Sequence, residues 1–223
     1  MTKISTKILV TLMFFGGTGL TGLIGTAAVA QNYDDFNYWT QQCYELRGES
    51  GLEACDRAIE LQQDQAILWT TRGAILHRDF QKSSEALTYH NRALELDRDN
   101  SLAWYNRCTA LNNLRRYEEA VTSCEQALAG DGNWGDGEIY LAWTAKGVSL
   151  RRLGRYTQAI EAYEQAITLK PDDQTTWNNK GVALYKLGRY LEALEAFEIA
   201  LEIDFNDQVT QENLDLTLRR LGR

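Results

Sequence analysis

Proline is almost missing from this chain of 223 residues, which contains only Pro171. At an average usage of about 5%, a chain of this length would hold about eleven prolines. Because proline breaks helices, its scarcity beside many Ala, Leu, Glu, Gln and Arg residues predicts a mostly helical protein.

Histidine is also scarce, and neither His77 nor His90 has a Cys, Asp or Glu partner at metal-ligand spacing. The sequence contains no G-x-S-x-G motif, no Walker loop and no dinucleotide-binding fingerprint. We therefore expect no catalytic residue, no cofactor and no metal site, which argues against an enzyme.

Positive charge is in deficit, since 23 Lys and Arg residues stand against 31 Asp and Glu residues and give a net charge of -8. Non-specific binding of nucleic acid requires clustered Lys and Arg. A nucleic-acid partner is therefore not expected.

The first thirty residues have the features of a secretory signal peptide. Lys3 and Lys7 precede an apolar core at 8–15, and small residues (Ala-Val-Ala) stand at 28–30. This order predicts cleavage before Gln31.

Cleavage would leave a mature chain of 31–223 that is exported, either periplasmic or secreted. The alternative is an uncleaved anchor, because 8–30 carries no charge and is long enough to span a bilayer. A membrane is expected as a partner only in that case.

A repeat organises the rest of the chain, with tryptophans spaced by 35, 39 and 34 residues. Each begins a stretch such as WTAKGVSL (143–150), and a second stretch such as QAIEAYEQAI (158–167) follows. Apolar residues recur at three- and four-residue steps in both, and LGRY at 153–156 marks a tight turn between them. Each unit is therefore predicted to be a helix, a turn and a second helix. The tryptophans are Trp69, Trp104, Trp143 and Trp177.

This pattern, W-x3-G followed by A-x3-Y/F-x2-A with a period near 34, resembles the tetratricopeptide repeat. The resemblance implies an all-α, right-handed superhelical solenoid. It places four units at 66–100, 101–134, 140–173 and 174–207.

The flanks of the four units fit the same architecture. Residues 31–65 are interpreted as a degenerate N-terminal unit, and 208–223 as a C-terminal capping helix. A stacked array exposes apolar surface at both ends, so atypical terminal units are expected.

Two residues depart from the pattern. His90 occupies the place of Tyr163 and Phe197 in later units and is expected to pack there. Cys108 stands where a small Gly or Ala is usual.

The four cysteines suit one disulfide within each of two units. Cys108 and Cys124 are symmetric about the turn of the second unit, and Cys43 and Cys55 about the turn of the degenerate unit. Residues symmetric about the turn of a helical hairpin lie at the same height and can face each other. Oxidised thiols also agree with export. The alternative is that each cysteine is simply a small buried residue.

The loop at 130–138 contains potential calcium ligands in Asp131, Asn133, Asp136 and Glu138. It lacks the glycine and glutamate positions of an EF-hand loop. The simpler interpretation is a linker that changes the stacking of the second and third units, and calcium or ligand binding is the alternative.

Bases concentrate in the four first helices, which carry eight Lys or Arg residues and one acid, Asp79. In the family that this chain resembles, first helices line the groove that receives a peptide or a partner helix. Four of the bases fall on the side toward neighbouring helices, where their stems are expected to pack while the charged ends reach water or an acid. These four are Arg72, Arg107, Lys146 and Lys180.

The other four bases fall on the groove-facing arc, together with amides and tyrosines. Amides can hydrogen-bond a peptide backbone, and tyrosines can pack against its side chains. Because these bases lie in the last helical turn, the helix dipole alone also accounts for them. The expected partner-binding residues are Arg78, Tyr105, Asn106, Asn113, Arg151, Arg152, Asn178, Asn179, Tyr185 and Lys186.

The sequence thus predicts an exported scaffold that binds a protein or an extended peptide and does not catalyse. A membrane-anchored assembly factor is the second hypothesis. The Lys and Asn pair with which some members of the family clamp a C-terminal carboxylate is missing, for example at Thr70 and Ala74. A role in binding chaperone tails is therefore not expected.

Overall fold

The computed structural model describes residues 35–134 and 139–222, and within these ranges the protein is all-α. Eleven helices follow one another there with no strand between them. They are α1 (35–45), α2 (Gly48–Leu61), α3 (Ala66–Phe80), α4 (Ser83–Leu96), α5 (Ser101–Asn113), α6 (Tyr117–Ala129), α7 (Ile139–Arg152), α8 (Tyr156–Leu169), α9 (Gln174–Lys186), α10 (Tyr190–Ile203) and α11 (Gln208–Arg220).

The predicted leader, 1–30, lies outside the described residues. Among the helices that the structure does describe, none combines the length and the apolar character that crossing a bilayer requires.

The helices are stacked as hairpins. The first helix of each unit packs on the second, as α7 does on α8, and each second helix packs on the first helix of the next unit. The last helix, α11, packs on α10 and α9 and so takes the place of a further first helix. The all-α repeat solenoid predicted from the sequence is therefore confirmed.

The two rows of helices differ in spacing. Consecutive first helices contact each other all the way from α3 through α5, α7 and α9 to α11. In the described stack the second helices α4, α6, α8 and α10 make no such contact with one another. A stack with one closer row curves toward that row, so the first helices form its inner side and the second helices its outer side.

The turn inside each unit places one residue in the left-handed conformation. Gly154 (φ 78°) and Gly188 (φ 77°) do so in the third and fourth units, whereas Arg115 (φ 58°) and Gln81 (φ 56°) do so in the second and first. Glycine adopts positive φ without steric strain, but other residues lose roughly 1–2 kcal/mol there. The first and second units therefore form this turn at a steric cost that the third and fourth units avoid.

Within a unit, a small residue of the first helix faces a large residue of the second. Gly147 lies against Tyr163 in the third unit and Gly181 against Phe197 in the fourth, and a Cβ atom on either glycine would overlap the ring. Both rings are almost completely buried. This contact sets the distance between the two helices of the hairpin.

The cysteines occupy the same two places. Cys108 stands where later units have the glycine and Cys124 where they have the ring. The structure joins these two with an S–S distance of 2.13 Å and joins Cys43 to Cys55 at 2.06 Å. All four residues are fully buried. A covalent link thus replaces the glycine–aromatic contact, in the pairing expected from symmetry about the turns.

His90 fills the place of the ring in the first unit and lies against Gly73. It is fully buried, and neither ring nitrogen has a hydrogen-bond partner. Burial lowers the pKa of His90 from 6.5 to about 3, and the charges of His77 and Arg107 add to the effect. The folded chain therefore keeps His90 neutral, whereas the unfolded chain protonates it below its ordinary pKa. The contribution of neutral His90 to the free energy of unfolding is therefore complete above pH 6.5 and is lost progressively as the pH falls toward 3.

We expect His90→Phe to remove this acid sensitivity, since Phe197 fits the same place in the fourth unit. Between about pH 6 and 4, the free energy of unfolding of the wild type should fall more steeply with decreasing pH than that of the variant. The difference in slope should reach up to about 1.4 kcal/mol per pH unit, which corresponds to one proton. Urea denaturation at several pH values measures both slopes. His77→Gln is the control and should leave most of the difference in place, whereas equal slopes for wild type and H90F would contradict the assignment.

Replacing Arg115 with glycine is expected to stabilise the fold by up to about 1 kcal/mol, because it removes a side chain from a left-handed position. Gly154→Ala is the matched control at the equivalent place and should lower the stability by a similar amount or more. Chemical denaturation of both variants under one set of conditions measures the two changes. An R115G variant less stable than the wild type would show that the strain is absent.

Candidate functional site

The residues predicted to bind a partner all stand on the first helices α3, α5, α7 and α9. Because α11 takes the place of a further first helix, its corresponding residues extend the same surface. We call this surface the inner face, and it consists of Arg78, Tyr105, Asn106, Asn113, Arg151, Arg152, Asn178, Asn179, Tyr185 and Lys186, with Asn213, Arg219 and Arg220 of α11.

Several residues of the inner face form hydrogen bonds with the next first helix. Asn113 Nδ2 lies 3.5 Å from His77 Nε2, between α5 and α3. Arg151 Nη2 donates to Asn179 Oδ1 at 3.4 Å, between α7 and α9. These polar groups hold neighbouring helices together and are only partly available to a partner.

The same kind of bond ties α11 to α9. Asn213 Nδ2 donates to Asn178 Oδ1 at 3.0 Å, and Arg220 Nε donates to the hydroxyl of Tyr185 at 3.1 Å. The sequence predicted α11 only as a cap. The structure adds that α11 lengthens the inner face and brings two more bases to it.

The bases of the inner face differ in how far they are engaged. Arg152 and Lys186 are exposed, and no described carboxylate forms an ion pair with either. Arg78, by contrast, pairs with Asp79 at 2.6 Å. Arg151 has its Nε atom buried, and its charge lies near the hydroxyl of Tyr163. The accessible positive charge therefore concentrates toward α7, α9 and α11.

An apolar row accompanies these bases. Val148, Val182 and Leu216 follow one another at intervals of 34 residues and so share one repeat position on α7, α9 and α11. The two valines are half-buried, and Leu216 is 43% exposed. The inner face thus offers apolar contact beside positive charge.

Trp134 is a residue of this region that the sequence analysis missed. Its ring meets Tyr105 edge-on, with 6.4 Å between the ring centroids. The loop before it is fixed to the start of α5, since Gly132 N–H donates to the hydroxyl of Ser101 at 3.0 Å. The described part of the loop is therefore more than a linker, because it carries an aromatic ring to Tyr105. A tryptophan outside the repeat pattern, in the glycine-rich loop at 130–138, is the signal that could have revealed it.

The carboxylate of Asp131 is used by the chain itself. Its Oδ1 atom accepts hydrogen bonds from the backbone N–H groups of Ser101 at 3.0 Å and Asn133 at 2.9 Å. Burial raises the pKa of Asp131, but these hydrogen bonds outweigh it and hold the pKa below its usual range. Asp131 therefore has a structural role in this loop.

The calcium hypothesis has no further support in the described part of the chain. No group of three or more His, Cys, Asp or Glu residues within 35–134 and 139–222 is placed to hold a metal ion. Asp136 and Glu138, the other acids of the hypothesis, lie outside the described residues.

The bases predicted to pack between helices lie toward the outer side, away from the inner face. Each of three forms an ion pair with an acid on the preceding second helix, and each is at most 20% exposed. The expectation that their charged ends reach an acid is confirmed for these three. The pairs are Arg72 with Asp56 at 2.5 Å, Lys146 with Glu125 at 2.9 Å, and Lys180 with Glu164 at 3.1 Å.

Several solved structures share this architecture. The crystal structure of YrrB, described as a TPR protein with an unusual peptide-binding site, is 24% identical, with 77% of this chain and 85% of that chain covered and a TM-score of 0.63. PilF of Pseudomonas aeruginosa is 18% identical, with 86% and 93% covered and a TM-score of 0.66. The first TPR domain of Spaghetti (RPAP3), bound to the HSP90 peptide SRMEEVD, is 18% identical, with 56% and 94% covered and a TM-score of 0.52. At these identities the similarity shows the fold alone.

The sequence comparisons identify the repeat itself. No curated protein matches the chain. The tetratricopeptide repeat model matches residues 71–136 and 144–207, which together make up more than half of the sequence. The chain therefore belongs to the tetratricopeptide repeat family.

Proposed function

We propose that this protein is an exported, non-catalytic scaffold that binds a protein or an extended peptide segment on its inner face. The observation that carries the proposal is the surface of α7, α9 and α11. There Arg152 and Lys186, which are exposed and form no ion pair with a described carboxylate, stand beside a row of apolar side chains. Such a surface fits a partner segment with both acidic and apolar residues.

The repeat also suggests the spacing of such a segment. Packed helices lie about 8–10 Å apart, and an extended chain rises about 3.3 Å per residue. About every third residue of a bound peptide would therefore meet the next member of the row Val148, Val182 and Leu216. Acidic residues between these positions would face the bases.

Two structures of the same fold support a peptide partner by analogy. YrrB is described as having an unusual peptide-binding site, and the RPAP3 domain is bound to a peptide of HSP90. This chain lacks the Lys and Asn clamp positions, so we do not carry over the HSP90 peptide as its ligand.

Export is supported by two independent features. The leader at 1–30 has the order of a signal peptide. The two buried disulfides are of a kind that persists in oxidising compartments and is rare in the cytosol.

Arg152→Glu combined with Lys186→Glu is expected to weaken the capture of a partner from an envelope extract by about tenfold or more, because close charge pairs are lost and repulsion replaces them. The fold should persist, since both side chains are exposed and an acid in the last helical turn costs only about 0.3–1 kcal/mol. Quantitative mass spectrometry of proteins captured on the immobilised chain provides the measurement.

The matched control is Arg57→Glu combined with Lys82→Glu, which makes the same charge change at exposed positions on α2 and immediately before α4. This control should capture the partner as the wild type does. An equal loss in both double variants would trace the effect to net charge and would refute the inner-face assignment.

Protein recovered from the site of export is expected to begin at Gln31 and to contain no free thiol. Intact mass after alkylation without reduction tests both points at once. A retained 1–30 segment would favour the anchored assembly factor instead, and four alkylated cysteines would contradict the oxidised pairs.

A further inference from the structure

The outer side of the stack repeats one ion pair, with one exception in the described residues. Arg72 pairs with Asp56, which precedes it by 16 residues. At the corresponding place of the second unit, Arg107 Nε donates to Asn91 Oδ1 at 2.9 Å, again across 16 residues. An uncharged amide thus stands where the other units have a carboxylate.

Arg107 is held in position but is not neutralised. A second nitrogen, Nη1, donates to the hydroxyl of Ser123. No described carboxylate forms an ion pair with Arg107, and the nearby Glu119 uses both of its oxygens to bind Arg116, at 2.6 Å each. The guanidinium therefore lacks the counter-charge that its counterparts have.

The pKa directions reflect this difference. Burial lowers the pKa of Arg107, and the charge of Glu119 offsets only part of the effect. Burial acts on Arg72 as well, but the hydrogen bond and charge of Asp56 outweigh it and raise the pKa of Arg72. Of these two half-buried cations, only Arg107 therefore has a pKa below its ordinary value.

An open cavity of about 660 Å³ gives access to this cation. It lies over α5, between the second helices α4 and α6, and the ring of Trp104 lies 5.5 Å from the Arg107 guanidinium. Glu95 also lines the cavity but is bound by Arg92 at 2.8 Å. The lining is completed by Asn91, Leu94, Arg98, Asp99 and Gln126.

We propose that this outer cavity binds the carboxylate of an aspartate or glutamate side chain of a partner protein. The other units indicate which group fits, since in each of the three a carboxylate pairs with the equivalent base. The indole of Trp104 would pack against the methylene groups of the incoming side chain, and the guanidinium of Arg107 would bind its oxygens. A protein segment is the fitting occupant because the cavity is an open groove between two helices, much larger than a free carboxylate ion needs. This site stands on the outer side and does not rest on the function proposed for the inner face.

Titration of the purified exported protein with hexaglutamate, at constant ionic strength, tests the proposal. The NMR signal of the Trp104 indole N–H reports on this cavity, because the N–H donates to the backbone oxygen of Arg98 in its wall at 2.8 Å, and it should shift saturably. Arg107→Gln should weaken the interaction by about tenfold or more, because the cation is removed. Asn91→Asp should weaken the binding of hexaglutamate as strongly without disturbing the fold. The new carboxylate would form an ion pair with Arg107, as Asp56 does with Arg72.

The controls separate this site from others. Gln165→Glu adds the same charge on α8 and should leave the affinity at Trp104 within about twofold of the wild type. The R152E/K186E variant should also leave the Trp104 response unchanged, so a failure of the inner-face proposal is distinguishable from a failure here. The proposal is overturned if the Trp104 signal does not shift, if N91D and R107Q respond like the wild type, or if hexaglutamine or inorganic phosphate shifts the signal as strongly as hexaglutamate.

Discussion

Close approach of two helices at one point in each hairpin is the constraint on which the stack depends. In the third unit Gly147 allows it, because a residue without a Cβ atom lets the ring of Tyr163 lie directly against the backbone. Each hairpin must keep the same spacing, since the next one packs on both of its helices. The second unit meets this requirement with the disulfide between Cys108 and Cys124, and the first with the buried imidazole of His90. Three different chemistries thus satisfy one geometric condition.

Because the hairpins are evenly spaced, residues at one repeat position form a row along the stack. A shift of a few residues along one helix moves a charged side chain from one row to another. Lys180 stands on the outer side, where Glu164 neutralises it at 3.1 Å. Lys186, six residues later in the same helix, is exposed on the inner face and forms no ion pair within the described part of the chain. The body of the protein can therefore be acidic while its inner face offers positive charge. Because the rows repeat, a single departure such as Asn91 becomes visible as a missing charge.

Sequence periodicity was sufficient to predict the helices, their pairing and the ion pairing of three of the four packed bases, because these follow from repeated contacts. The symmetry of Cys108 and Cys124 about a turn likewise reflects contact within one hairpin. The hydrogen bonds that Arg151 and Asn178 form with neighbouring helices could not be predicted in this way. Their hydrogen bonds reach neighbouring first helices, and how closely these approach depends on the curvature of the stack. Trp134 lies in the loop at 130–138, which has no helical periodicity, so no repeated pattern indicated its contact with Tyr105.

The unequal spacing of the two helix rows has a mechanical consequence. The first helices touch and are tied by side-chain hydrogen bonds, whereas α4, α6, α8 and α10 are separated by open grooves. Straightening the stack must narrow these grooves, and tighter bending must widen them. A partner side chain bound in the groove between α4 and α6 would therefore keep that groove open and resist straightening of the stack. The spacing of the second helices is thus coupled to that of the first helices. A force on one side of the stack changes the spacing on the other by rotating hairpins against one another, while each hairpin keeps its own structure.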